Sequence, residues 1–252
     1  IKEKQDFFVF GRTYVEHSRR EKSTKSNMNT TLTLLKEFSP KLSLPDIDYP
    51  LLLRFEHFLQ TKRLQTNTIA KHMRHLRTFY NEAIRRGLLL STSSPFIKYH
   101  IKTIESKHAF LLPEELQKLE KFSNATIKSE LRHTLDAFLF CCYTGVRYSD
   151  FIRLCEENIV YPDGTHAWLT FKSQKTGVDI RIPLYLLFQG KAMKLLKRYP
   201  DKDAFFCLKP NSIVNKELVR LGKLVGIEKH FSFHSARHTN ATLLIYSGAQ
   251  LT

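Results

Sequence analysis

The stretch FSFHSARHTN, residues 231–240, crowds His234, Arg237 and His238 into five positions at what reads as a helix start. A metal-ligand pair, a phosphate clamp and a plain helix N-terminus all fit such a run. His234 and Arg237 are three residues apart, so they share one face of a helical turn. His234 and His238 have the i, i+4 spacing of a zinc pair, but the Glu of an HExxH site is absent and no third ligand suggests itself. A helix N-terminus offering backbone N–H groups, an imidazole and a guanidinium is a better seat for a phosphate. The choice depends on what the rest of the chain brings to this run.

Charge narrows the partner. Forty Lys and Arg against 24 Asp and Glu give +16 over 252 residues, and the excess is spread along the chain. There are 19 basic against 10 acidic residues through Glu105, and 21 against 14 after it. Both halves are positive, as expected if both embrace one polyanion, with nucleic acid the first candidate. No run of about 18 apolar residues and no charged-then-apolar leader occurs, so neither a membrane span nor a signal peptide is expected. The four cysteines, Cys141, Cys142, Cys155 and Cys207, lack CxxC spacing and read as buried free thiols. Neither a cofactor nor a metal is expected.

Apolar periodicity predicts a mainly α chain with a small antiparallel β-sheet. Four helical stripes precede residue 90: Phe7 to Val15, Leu32 to Phe38, Leu51 to Leu59, and Ile69 to Ile84. The last is capped by Thr66 or Asn67 and stopped at Gly87. Together they make a small bundle. Opposite the fourth stripe lie Lys71, Arg74, His75, Thr78 and Arg85, a face that suits either plain solvation or DNA phosphates. Ser91–His108 lacks periodicity and reads as a linker; we place the domains at 1–103 and 111–252, joined by 104–110. In the second, Pro113 with Glu114 and Glu115 opens a helix. An apolar helix through Leu131 and Cys142 breaks at Thr144-Gly145, and HAWLTF and GVDIRIPL read as two strands joined by a Lys-containing turn. Further helices are expected over Met193–Tyr199, Asn211–Val225 and His234–Tyr246.

Two more stretches place cations beside structural breaks. In TGVRYSD, Arg147 follows the Gly145 break, and Asp150 is placed to hold it by a charge-assisted bond. In FKSQKTGVDIRIPL, Lys175 stands at a hairpin tip, where an ammonium can act as a general acid in a way Arg cannot; Lys172 is its rival. Two arginines, a lysine and a histidine converging on one phosphate suit phosphoryl transfer, which develops negative charge on nonbridging oxygens.

TGVRYSD resembles the first arginine motif of the tyrosine recombinase (phage integrase) family, KTGVDIRIPL its β-hairpin lysine motif, and HSARHT its HxxR motif. The overall style is similar to integrases of mobile elements in Bacteroides-type bacteria. The resemblance implies an N-terminal helical core-binding bundle plus a mixed α/β catalytic domain. It implies a site-specific recombinase that cuts and rejoins DNA through a 3′-phosphotyrosyl intermediate, integrating or excising a mobile element. By it, Arg147 and Arg237 clamp the scissile phosphate, Lys175 protonates the departing 5′ oxygen, and His234 moves the nucleophile's proton. Asp150 and His238 support them. For lysine, KTG followed by IPL favours Lys175 over Lys172. The family's second His or Trp and its nucleophilic Tyr are expected beyond Thr252. Tyr246 is too close to Arg237 and is read as packing, so this stretch is expected to be an inactive piece of a longer protein. The resemblance further implies double-stranded DNA as partner, a homotetramer on synapsed DNA, a monomer when free, accessory directionality or DNA-bending proteins, and a cytoplasmic, nucleoid-associated location in bacteria. A non-enzymatic DNA-binding regulator with the same fold is the alternative; a type IB topoisomerase fits the bundle-and-linker layout less well.

Overall fold

The computed structural model describes residues 6–91, 94–124 and 129–249. Residues 92 and 93 of the segment read as a linker, and the last three of the chain, lie outside them. Two compact units divide between Ser106 and Lys107.

The first unit is built from α1 (Phe7–His17), α2 (Lys22–Phe38), α3 (Tyr49–Thr61) and α4 (Thr66–Arg85). Asp6 caps α1 by accepting the Phe8 and Val9 N–H groups, and Asp48 caps α3 by accepting from Leu51, with Pro50 in its first turn. The apolar stripes meet in a core containing Phe7, Met28, Leu35, Leu52, Phe55, Met73 and Phe79, all fully buried. Gly11 lets α1 lie against α2, because a Cβ there would sit 2.7 Å from the Leu32 side chain.

Neither Thr66 nor Asn67 caps α4. Gln65 holds that position without a side-chain bond, and Asn67 pairs instead with Ile104, its Nδ2 donating to the Ile104 carbonyl at 2.7 Å and its Oδ1 accepting the Ile104 N–H at 3.0 Å. The other end stops as the sequence predicts. Gly87 takes φ +69, its N–H reaches the Ile84 carbonyl, and Leu88 N–H reaches back to Ala83.

The second unit is wrapped around α6 (Ser129–Thr144), whose residues from Leu135 to Cys142, apart from Asp136, form part of one apolar core. A helix apolar all round belongs at the centre of a domain. Around it stand α5 (Pro113–Asn124), α7 (Tyr148–Phe151), α8 (Lys191–Leu196), α9 (Lys202–Phe206), α10 (Asn211–Leu224) and α11 (Ser235–Tyr246). The sheet has strand order β1 (Ile159–Val160), β2 (Trp168–Lys172), β3 (Asp179–Pro183), antiparallel throughout. Phe138 touches Phe231 and Phe233, Phe140 touches Phe151, Phe205 and Phe206, and Phe151 reaches Phe233. These rings bind α6, α7 and α9 to the loop that leads into α11.

The structure adds β1, α7 and α9, which are too short to show a period. It also shifts the helix expected over Met193–Tyr199 toward the N-terminus, to Lys191–Leu196. All four cysteines are free, but only Cys141 and Cys142 are buried; Cys155 is half-buried and Cys207 exposed, correcting the reading of all four as interior. No described helix is long and apolar enough to cross a membrane.

One polar node sits in the seam between α2 and α4. The Thr31 hydroxyl lies 2.8 Å from Nδ1 of both His72 and His75 and 3.2 Å from the Asn27 carbonyl. Burial, with Lys71 and His75 adding repulsion, pushes His72 down to about 4. An unfolded His72 titrates near its ordinary 6.5, so the unfolded chain binds the extra proton between those values. Stability contributed by neutral His72 is therefore present above pH 6.5 and lost as pH falls toward 4. Lowering pH from 7 to 5 should cost the first unit up to about 2 kcal/mol in urea unfolding, and His72→Phe should remove most of that dependence.

Candidate active site

The site begins where α6 ends. Gly145 donates its N–H to the Cys141 carbonyl at 2.8 Å and turns the chain with φ +69. A side chain is excluded there twice over, by that dihedral and by Asn240, whose Oδ1 lies 2.7 Å from where a Cβ would stand. The last carbonyls of a helix lack partners within it. Here α11 supplies them: Asn240 Nδ2 donates to the Cys142 carbonyl at 2.9 Å, and Arg237 Nη1 donates to the Gly145 carbonyl at 2.7 Å. One of Arg237's five N–H donors is thereby committed, which fixes the direction of an otherwise exposed guanidinium.

Arg147 follows two residues after Gly145, in extended conformation at the start of α7. Its Nη1 is 3.5 Å from Ser173 Oγ and 3.8 Å from Asp150 Oδ2. Asp150, 4% exposed, does more than face Arg147. Its Oδ1 accepts the Gln174 N–H at 2.9 Å and its Oδ2 the Ser173 hydroxyl at 3.4 Å. Both donors belong to the hairpin that carries Lys175, so one buried carboxylate connects the first arginine to the lysine loop.

That loop is closed by Ser173 N–H to the Val178 carbonyl at 2.9 Å and Gly177 N–H to the Ser173 carbonyl at 2.8 Å, with Gly177 at φ +68. Lys175 is exposed at its tip. Lys172 stands on β2 directly across from Asp179.

His234 is exposed at the last position before α11. Its pKa is lowered, first by partial burial and then by repulsion from His108, Arg237, Arg147 and Lys175. The three stretches singled out in the sequence therefore meet in one electrostatic neighbourhood. Arg237 is also shifted down, by burial and by Arg147, with Asp150 the opposing influence. Cations held together against one carboxylate make a site prepared for an anion. His238 sits behind, half-buried, edge-on to the His234 ring at 5.0 Å.

Several residues here escape a reading of the sequence. Ser173, Thr239 and Asn240 are small polar residues that act on groups far away in the chain, Ser173 on the Asp150 and Arg147 side chains and the other two on backbone groups. His108, which stacks on His238 with ring centres 4.5 Å apart and planes 11° from parallel, falls in the segment read as a linker. The one available signal was Asn240, three residues after Arg237 and hence on the same helical face.

The α4 face divides. Arg74 is exposed, while Lys71 donates to Asn27 at 3.2 Å and Arg85 pairs with Glu82 at 3.4 Å. The Thr78 hydroxyl donates to its own helix at Arg74, and His75 turns to Thr31 in the α2–α4 seam. Tyr246 also departs from expectation: it is 67% exposed at the end of α11 and does not pack into the core.

The chain is thus a helical unit followed by a mixed α/β unit in which His234, Arg237 and Arg147 share one electrostatic neighbourhood. Residues 6–101 match the phage integrase SAM-like domain and residues 109–252 the phage integrase family, so the chain belongs to the phage integrase family. It is 28% identical over 218 residues to tyrosine recombinase XerC of Bacillus licheniformis, covering 82% of this chain and 70% of that protein. Its fold is similar to lambda integrase, solved as a tetramer bound to a Holliday junction, with TM-score 0.74, 17% identity, and 95% of this chain and 69% of that one covered. It is also similar to the Tn1549 transposon integrase in complex with circular intermediate DNA, with TM-score 0.72, 14% identity, and coverage of 97% and 88%.

Replacing Asp150 by Ala leaves the Gln174 N–H and Arg147 without their carboxylate. Stability should fall by about 1.5–3 kcal/mol, and hydrogen exchange at Gln174 should accelerate while α10 amides keep their protection. Gly145→Ala should cost about 1–3 kcal/mol through the left-handed dihedral and the Asn240 clash, measured by thermal unfolding.

Proposed function

We propose that the chain is the core-binding and catalytic part of a site-specific DNA recombinase of a mobile element, with residues 1–103 and 111–252 as the two domains and 104–110 as the linker. The observation that carries this reading is that His234 stands in the field of Arg237, Arg147 and Lys175, drawn from three separated stretches, while Asp150 acts on both arginines. Arg147 and Arg237 bind the nonbridging oxygens of the scissile phosphate, where negative charge grows in the transition state. A tyrosine hydroxyl attacks phosphorus and gives its proton to His234. The bond to the 5′ oxygen breaks, and that oxygen takes a proton from the Lys175 ammonium. The 3′-phosphotyrosyl link retains the phosphodiester's energy, so a 5′ hydroxyl of a partner strand can reverse the step and reseal DNA.

The nucleophile is assigned to a tyrosine beyond Thr252, and residues 1–252 alone are expected to bind DNA without cutting it. Arg74 and Lys71 are assigned to DNA phosphates. His75, held at Thr31, contributes to that surface through the α2–α4 seam it stabilises. Assembly on two synapsed DNA sites as a homotetramer, dissociation to a monomer when free, accessory directionality proteins and a nucleoid location in bacteria belong to the same proposal.

The test uses a nicked duplex from which the cut strand end diffuses away. Full-length protein should become covalently linked to it, and Arg237→Ala should abolish the adduct. Lys175→Ala should slow cleavage by about 10²–10⁴-fold, and a substrate with sulfur in place of the 5′ oxygen, which leaves without a proton, should restore it. Absence of any adduct with the intact protein on its own DNA site would leave only DNA occupancy. Because His234 is depressed below 6.5, it stays neutral at pH 7, and the acid limb of the cleavage profile should lie below pH 6.5.

A further inference from the structure

We infer that His108 is a positioning residue for the reaction centre: by stacking on His238 it fixes the ring against which His234 is set, so that His234 meets DNA in one orientation. The inference deepens the recombinase reading and rests on it for its kinetic test alone.

His108 comes from outside the three motifs, yet its backbone is anchored to them. Three residues on, Leu111 donates its N–H to Thr239 Oγ1 at 2.9 Å, and Thr239 is the neighbour of His238 on α11. Lys229, in the loop before α11, lies over the Phe110 ring at 5.5 Å and pairs with Glu115 at 2.5 Å. Residues 108–111 are thus tied to α11 and to the loop that leads into it. A short, tethered segment restricts where an exposed imidazole can go, and the near-parallel overlap with His238 is the result.

His238 needs such support. Its Nε2 is buried with no hydrogen-bond partner among the described residues, so none of their polar atoms fixes that side of the ring. Stacking on one face by His108 and edge contact with His234 hold it instead. The three rings border a cavity of about 130 Å³ that Lys107, His230, Ser232 and Ser235 also line. Arg237 on the same helix, and Arg147 and Lys175 from other elements, add positive charge, and Asp150 supplies the carboxylate that acts on Arg237. A charge on His108 opposes one on the His238 ring it covers, so the stack favours neutral His238. Burial and the neighbouring cations lower both His234 and His238 in the same direction.

Two variants separate stacking from bulk. In full-length protein, His108→Ala should lower single-turnover cleavage roughly tenfold with DNA affinity unchanged, since a small misplacement of a reacting group is costly. His108→Phe, which keeps a flat ring, should recover most of the rate. Loss of affinity in step with loss of rate would make His108 a phosphate contact and overturn the inference, as would a Phe variant no better than Ala. The second measurement needs no activity: imidazole NMR titration of residues 1–252. There His108→Ala should raise the His234 midpoint and shift the His238 ring signals. Unmoved His234 and His238 signals would also overturn it. If wild-type protein forms no adduct, the recombinase reading fails while the titration still decides the stack.

Discussion

The carbonyl end of α6 is held by two side chains of α11, Arg237 on Gly145 and Asn240 on Cys142, and the geometry of the second unit follows from that grip. A helix end inside a protein must find donors for its last carbonyls. Taking them from α11 brings the segment bearing His234 and Arg237 to the point where Arg147 leaves α6. Gly145 is the hinge of the arrangement, because only a residue without Cβ admits Asn240 so closely. The aromatic cluster of Phe138, Phe151 and Phe233 backs the same junction from the interior. Satisfying a structural need and orienting a cation are one contact here.

Electrostatics then opposes the packing. Arg147 and Arg237 repel one another, a proton on His234 is opposed by both and by Lys175, and Asp150 is the carboxylate that acts on the two arginines. Such a cluster is tolerable because its members are only partly buried and because an anionic ligand relieves it. Asp150 spends most of its hydrogen-bonding capacity on the hairpin, through Gln174 and Ser173. It therefore joins two pieces of chain as much as it neutralises an arginine.

The parts legible in the sequence are those governed by local rules. The α4 stripe, its stop at Gly87, the α6 break at Gly145 and the β2–β3 hairpin are each set by periodicity or by a dihedral that glycine alone takes easily. Arg147, Lys175, His234 and Arg237 stand out because cations at breaks are conspicuous. What escaped depends on separation along the chain. The bond from Leu111 to Thr239 spans 128 residues and that from Asn240 to Cys142 spans 98, and no spacing rule reaches so far. His75 looked like part of an outward basic face, and only α2, through Thr31, draws it inward. Tyr246 ends the apolar run Leu243–Tyr246, of which only Leu243 is buried, so an apolar pattern could not show that the last turn emerges into solvent.

The Thr31 node carries one more constraint, a matter of proton counting. A hydroxyl has a single hydrogen and two lone pairs, while three groups approach this one: the Asn27 carbonyl, His72 Nδ1 and His75 Nδ1. The carbonyl can only accept. If it receives the hydroxyl hydrogen, both imidazoles must be protonated at Nδ1; if one imidazole receives it, the other must still donate. The two histidines thus cannot both carry their hydrogen on Nε2, and the neutral tautomer of each is conditional on its neighbour's. Helices α2 and α4 are thereby joined by a seam with a direction of donation, set beside an apolar core whose contacts have none.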